Sequence, residues 1–436
     1  MLKRIFAIAL LTGTGQVFVI FALKYISQHS SPEQVKTIGQ IDSLVLFIMN
    51  IVALGLQPAA MRNLALTENW KQEYQNTQSA RLTLSIFIAG FALLAFIDQF
   101  YLAFLIAPLL ALSGDYALYG RGYPIKAALI AFIRTVIPLF IILIINDTWQ
   151  LSWLYFSGLL LAYLITNLVI SFSLKAFHLP KISFSSLKMY VSTLSLGFVS
   201  LGLYFIGIGI ILVAQYFYSA PELAIAFIGL KFYVIYKGIL RILHQAFFKE
   251  MINEDVCLKI DQLSIVGGII FLGSVLIFPG SFIQLFFGEQ YLKNELFFIA
   301  LGLAAFIYSM FLSMATRSML LKKDRTYTIT TIAAAVVTII LTIIFSFFYS
   351  SAFGIALSIL IGELLWMFGL LKIIGTPKDI QSRMVFVLQC LLFLLIPLSM
   401  RYLIGDLLWV YATSFGVFIV IQLFLHSKKL KIFSQS

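Results

Sequence analysis

The sequence predicts an all-α polytopic membrane protein of about 14 transmembrane helices, arranged as two six-helix lobes plus two extra C-terminal helices. Three observations predict the class. Of 436 residues, 61% are hydrophobic and only 11% charged, with a mean hydropathy of +1.01, against roughly half apolar and a quarter charged in soluble domains. Apolar runs of about 20 residues recur along the whole chain, each long enough to cross a ~30 Å hydrocarbon core as a helix. Basic residues gather on alternate connections between those runs, as the positive-inside rule requires.

The runs lie at 5–26, 38–60, 82–98, 100–118, 127–145, 152–172, 190–213, 223–243, 262–284, 295–316, 328–349, 354–373, 384–404 and 407–426. Only Asp98 to Phe100 separates the third from the fourth, a tight turn between antiparallel helices. With a cytoplasmic N-terminus, Lys24, Lys36, Lys293 and Arg401 fall on outside segments and Arg134, Lys231 and Lys237 inside spans. The other 23 of the 30 Lys and Arg then lie on the inside. Both termini are therefore expected in the cytoplasm. The first span follows a basic start, but its apolar run exceeds a signal-peptide core and has no clear A-x-A site, so it is read as retained.

A formal charge of +12 suggests nucleic acid in a soluble protein; here the basic residues sit in short loops and orient helices. Cys257 and Cys390 form neither a disulfide framework nor a metal cluster. His29, His178, His244 and His426 lie at loops or helix ends without ligand spacing. The outside loops are too short to hold the acceptor chemistry of a glycan polymerase or ligase. There is no Walker A pattern and no cytoplasmic segment long enough for a nucleotide-binding domain, so neither an enzyme nor an ATPase is expected. A weak repeat lays "ALYGRGYPIK" (Ala117 to Lys126) on "MATRSMLLKK" (Met314 to Lys323), matching Arg121 with Arg317 and Lys126 with Lys322. The expected division is residues 1–185 and 186–375 as two six-helix lobes, with 376–436 as an appended helix pair and cytoplasmic tail. Two parallel lobes are what a rocking transporter needs.

Several stretches resemble a known family. They are "TGTGQVF" with Gly13, Gly15 and Gln16, "IGQIDSLVLFIMNIVALGLQPAAMRNLA" (Ile38 to Ala65) with its basic exit, and "FPGSFIQLFFGEQYL" (Phe278 to Leu292). In these the chain resembles the bacterial O-antigen and polysaccharide flippases (Wzx-like) of the multidrug/oligosaccharidyl-lipid/polysaccharide flippase superfamily. The resemblance implies two bundles around a central cavity that opens alternately to each side, in the bacterial cytoplasmic (inner) membrane. It implies a substrate of undecaprenyl diphosphate carrying an oligosaccharide, moved from the cytoplasmic to the periplasmic leaflet. Lipopolysaccharide or capsule biosynthesis follows, with membrane lipids, the glycan polymerase and the chain-length machinery as partners, and no nucleic acid.

The charges inside the spans are the candidate site. Charge in hydrocarbon costs from about 3 kcal/mol upward for each Lys or Arg, yet the eighth span holds Lys231 and Lys237 and ends at Arg241. From Glu222, Lys231 lies roughly 13 Å in and Lys237 roughly 22 Å. Lys237 and Arg241 share a face at i, i+4, and Lys231 lies about 80° from Arg241. Arg134 sits roughly 12 Å past Lys126. Arg suits bidentate phosphate binding and Lys acts as a point charge, so Arg134 and Lys231 are candidates to draw a diphosphate into the cavity. The other reading is a buried ion pair with a carboxylate such as Asp115 or Glu363. Lys237 is either a cavity cation or a snorkelling one. Arg62 is either a cavity cation or a positive-inside anchor. Lys24, on the outside edge against the topology rule, stands between a cavity role and an interfacial one.

Asp42, Asp115 and Glu363 are candidates for coupling to H+ or Na+, with no other cofactor or metal expected. Glu363, apolar-flanked in "SILIGELLWMFG", carries a proton or ion, or else partners a neighbouring cation. Asp42 and Asp115 also read as structural. Gln16, Asn50 and Gln57 either meet sugar hydroxyls or bond between helices. Tyr25, Trp149, Trp153, Tyr155 and Trp409 read as interface aromatics. The competing functions are a peptidoglycan-precursor flippase, which also binds a diphosphate, and a cation-coupled multidrug exporter. The exporter would favour a cavity lined by acids and aromatics.

Overall fold

The computed structural model describes residues 2–95, 104–145, 151–176, 180–246, 251, 253–321, 323–374 and 377–404. Among them there is no strand, and the elements are helices α1 (Leu2–His29), α2 (Pro32–Ala53), α3 (Leu56–Leu66), α4 (Trp70–Ala95), α5 (Ala107–Ala111), α6 (Asp115–Gly120), α7 (Pro124–Ile145) and α8 (Leu151–Leu174). After these come α9 (Lys188–Phe205), α10 (Ile211–Ala214), α11 (Ala220–Ala246), α12 (Glu254–Ile277), α13 (Pro279–Phe286), α14 (Glu295–Leu320), α15 (Asp324–Phe348), α16 (Phe353–Ile374) and α17 (Pro377–Ile404). Among the described residues ten helices are long and apolar enough to cross a membrane, with shorter apolar helical stretches at Phe104–Gly120 and Ile380–Leu392. The protein is thus a polytopic all-α membrane protein. The turn at 98–100, the run at 407–426, Trp149, Trp409, His178 and His426 lie outside the described residues.

The chain forms two compact units, each built from two segments. The first joins Met1–Ile235 to Thr331–Ile355, and the second joins Tyr236–Thr330 to Ala356–Ser436. Large apolar side chains face outward in both, such as Phe172 in the first unit and Phe368 in the second. Such exposure fits lipid as the surrounding solvent.

Among the described residues five of the expected spans are interrupted: 38–60 at Leu54–Gly55, 100–118 at Ser113–Gly114, 190–213 near Gly207, 262–284 at Phe278 and 295–316 at Phe311. At the first two, side chains of other helices take the freed carbonyls. The run at 38–60 begins earlier than its apolar stretch, because Ser31 and Gln34 close a capping box and Pro32 takes the first helical position. It breaks at Leu54 and Gly55, both in the left-handed region, with φ of 30° and 81°. Leu54 carries a side chain in that region, where glycine is favoured. The freed carbonyls find partners on α9: Tyr190 donates to the Val52 oxygen at 2.6 Å and Thr193 to the Leu54 oxygen at 3.2 Å. With no water in a bilayer core, such partners are what allow the break.

The fourth run, expected continuous at 100–118, is split into α5 and α6 around Ser113 and Gly114. Here α4 supplies the partners. Arg81 donates to the Ser113 and Leu110 oxygens at 2.5 and 3.2 Å, and Gln78 to the Leu112 oxygen at 3.0 Å. Asn167 of α8 takes the Leu109 oxygen at 3.0 Å. Arg81 is only 1% exposed, so it is a buried backbone clamp and not the solvated inside-loop charge expected from the topology count. In the second unit α14 leaves helical geometry at Phe311, with φ −134° and ψ 15°.

Small residues let helices approach where no hydrophobic drive acts between them. In the first unit Gly158 of α8 lies where a Cβ would sit 2.6 Å from Pro138 Cα of α7, and Gly39 of α2 where one would sit 2.6 Å from the Phe227 ring of α11. In the second, Gly268 of α12 would bring a Cβ to 3.1 Å from Phe306 Cα of α14.

Gly55→Ala is expected to destabilise the protein by about 1–3 kcal/mol, since a side chain there both strains the backbone and meets the Thr193 carbonyl. A lower thermal midpoint in detergent checks this; an unchanged midpoint would show that the α2–α3 break relaxes freely.

Candidate functional site

Each candidate cation inside the spans has a carboxylate beside it. In the first unit, Lys231 Nζ of α11 stands 2.6 Å from Asp42 Oδ2 of α2, and the Tyr155 hydroxyl of α8 donates to Asp42 Oδ1 at 2.6 Å. The approach that permits the pair is made at Gly39, one turn before Asp42, against Phe227, one turn before Lys231. Tyr155 is 5% exposed. That corrects its reading as an interface aromatic: its ring is buried because its hydroxyl holds a carboxylate.

Further along α8, Arg134 of α7 donates from Nε to Thr166 Oγ1 at 2.9 Å and stands 3.6 Å from Asp115 Oδ1 of α6. Its guanidinium lies over the Tyr163 ring, 4.6 Å from the centroid. Ser113 donates to the same Asp115 oxygen at 2.9 Å, so the α5–α6 break helps to fix that carboxylate. Arg134 Nη2 has no hydrogen-bond partner. Tyr155, Tyr163 and Thr166 fall at i, i+8 and i+11, one face of a helix with 3.6 residues per turn. The first unit thus strings two ion pairs, Lys231–Asp42 and Arg134–Asp115, along one side of α8.

In the second unit Lys237 of α11 is paired with Glu363 of α16. Its ammonium also lies 4.4 Å from the Tyr308 ring centroid, and Tyr308 stacks on Trp366 at 5.8 Å. The Glu363 side chain has no exposure at all. Lys237 therefore does not snorkel; a carboxylate and a ring hold it inside the unit. Sequence reasoning missed a second buried pair there. Arg383 Nε of α17 donates to Asp261 Oδ2 of α12 at 2.9 Å, while Asp261 accepts from the Ser313 amide at 3.0 Å and the Ser313 hydroxyl at 2.5 Å. Ser313 lies just past the Phe311 break, so Asp261 caps the amides that restart α14. Arg317, one turn after Ser313 in the last turn of α14, pairs with Glu254 at the start of α12.

Accessibility separates these pairs. The side chains of Lys231 and Asp42 are 20% and 10% exposed, against 2% and 0% for Arg383 and Asp261. Lys231, on a flexible stem with three rotatable donors, is the cation best placed to exchange its partner for an anion. Among the other candidates, Lys24 lies half-buried on α1 and Arg62 lies on α3. Asn50 donates to the Leu46 oxygen of its own helix at 2.8 Å. Cys257 and Cys390 are both buried free thiols.

No protein-family pattern matches the chain, and no curated protein matches it in sequence. Solved structures do. The chain is similar to lipid II flippase MurJ in an inward closed conformation, with a TM-score of 0.70 and 14% identity over 98% of this chain and 99% of that one. It is also similar to a multidrug resistance MATE family transporter of the MOP superfamily. The inward-facing conformation gives a TM-score of 0.55 and 16% identity over 85% of this chain and 95% of that one. The outward-facing conformation gives 0.51 and 14% over 91% and 96%. At such identities the likeness is one of fold: this chain shares the polytopic all-α fold of these transporters.

Arg383→Leu strands Asp261 without its cation, and breaking a fully buried pair costs about 3–5 kcal/mol. A large loss of thermal stability in detergent is expected, with much of it recovered in Asp261→Asn/Arg383→Leu. If the double variant is no more stable than the single, the two side chains are not energetically coupled.

Proposed function

We propose that this protein is a flippase that carries an undecaprenyl-diphosphate-linked oligosaccharide, an O-antigen or capsule repeat unit, from the cytoplasmic to the periplasmic leaflet by alternating access. The observation that carries this proposal is the partly exposed Lys231, held by a single exchangeable carboxylate. A diphosphate is a dense anion, and a cation of this kind offsets its cost of leaving water while an isoprenoid tail stays in lipid. Arg134, with its free Nη2, supports the same chemistry further along α8. The likeness to transporters solved in inward-facing and outward-facing conformations agrees with alternating access.

Lys237 takes a structural role in this mechanism, because Glu363 and Tyr308 enclose it. The coupling ion, H+ or Na+, is assigned to the carboxylates Asp42, Asp115 and Glu363. Asp115, with a third of its side chain exposed, is the most accessible of them. A second reading is a peptidoglycan-precursor flippase, favoured by the likeness to MurJ over nearly the whole of both chains. It keeps the lipid diphosphate and changes only the glycan. A small-cation exporter is disfavoured by Lys231 and Arg134.

In cells where this protein is the only flippase for a surface glycan, Lys231→Ala is expected to reduce export by about tenfold or more at normal membrane levels. Lys231→Arg is expected to keep most of it. Wild-type export in Lys231→Ala would remove the cation from the mechanism. Rescue of a strain depleted of its lipid II flippase, with no rescue of glycan export, would select the second reading.

A further inference from the structure

Every anionic phospholipid of the surrounding bilayer carries a phosphate, so a bare lysine open to lipid would be occupied by the wrong headgroup. We propose that Asp42 is a specificity-determining residue, a built-in counter-ion that withholds Lys231 from singly charged headgroups and yields it to headgroups with two or more negative charges.

Four observations carry the filter. First, Lys231 and Asp42 stand 2.6 Å apart and are both partly exposed, so the pair is formed yet reachable. Second, exchange is a matter of charge. A phosphodiester with one negative charge replaces one monoanion by another and strands Asp42, whereas a diphosphate brings more charge to the ammonium than the carboxylate did. Rejecting a competitor by making it displace an existing contact is how a site gains discrimination without gaining affinity.

Third, the partner that moves is defined. Asp42 Oδ1 is held by the Tyr155 hydroxyl at 2.6 Å, so the carboxylate keeps a hydrogen bond on α8 when the ammonium leaves. Lys231 has the long stem and the rotatable donors. Fourth, the other paired cations are built differently. Glu363 is fully enclosed with Lys237, and Arg134 is fixed by Thr166, Asp115 and the Tyr163 ring together. Neither of these offers a simple one-for-one exchange.

The filter rests on the lipid-diphosphate reading, and the experiment separates the two. The purified protein is placed in nanodiscs of phosphatidylcholine, and occupancy by undecaprenyl diphosphate or by phosphatidylglycerol is read by native mass spectrometry. The wild type is expected to prefer the diphosphate by about tenfold or more, and Asp42→Asn to narrow that preference to about threefold or less, chiefly by taking up phosphatidylglycerol. An unchanged preference in a folded Asp42→Asn overturns the filter and leaves the diphosphate reading standing. A wild type with no preference for the diphosphate overturns both. Should Asp42→Asn fail to fold, Asp42→Ser, which removes the charge, keeps a hydroxyl beside Tyr155 and leaves Lys231 in place, is used instead. A narrowed preference in that variant supports the filter, and a wild-type preference overturns it.

Discussion

A helix interrupted inside an apolar slab frees amides and carbonyls that water cannot reach, and most of what is unusual in this structure answers that constraint. Where α2 stops, hydroxyls from α9 take the Val52 and Leu54 oxygens. Where α5 stops, Arg81, Gln78 and Asn167 take four successive or near-successive oxygens. Where α14 restarts, Asp261 takes the Ser313 amide. The sign of the capping charge follows the end it serves. A cation sits on the carbonyls that close α5 and an anion on the amides that reopen α14, each matching the local helix dipole. Both come from the long helix that precedes the interrupted one in sequence.

The same breaks also position ion-paired groups. Ser113, at the α5–α6 break, orients Asp115 toward Arg134, and Tyr308 lies one turn before the Phe311 break with its ring on Lys237. A charge is tolerated within each unit only where several weak contacts share its desolvation. The enclosed pairs meet that condition with hydroxyls and rings as well as with the opposite charge. Lys231–Asp42 and Arg134–Asp115 meet it less completely: Lys231 keeps 20% and Asp115 33% of its side chain exposed, whereas Glu363 and Asp261 keep none.

The class of fold was legible because span length and loop charge are averages over many residues. Nearly every run at a sequence-expected position is helical where described. The interruptions were harder to read. The breaks at Ser113–Gly114 and Phe311 fall where side chains 29 to 58 residues away receive the backbone, and the break at Leu54–Gly55 where Thr193, 139 residues away, does so. The candidate cations Arg134, Lys231 and Lys237 stood out as charges in apolar runs, and carboxylate partners were foreseen as an alternative. Which carboxylate served which cation was not, since Asp42 and Lys231 are 189 positions apart. Arg81, Asp261 and Arg383 were hidden for another reason. They lie beside basic loops, where a count of charges treats them as solvated, although exposure of 2% or less places them among the most enclosed side chains.

Gly39 has no side chain, yet it sets the separation of α2 and α11 beside the Lys231–Asp42 pair. A methyl group there would press on the Phe227 ring and lengthen the pair a turn away, weakening the hold of the carboxylate without touching either charge. Variation at this position would therefore tune the strength of the ion pair through a residue that carries no charge and touches neither partner.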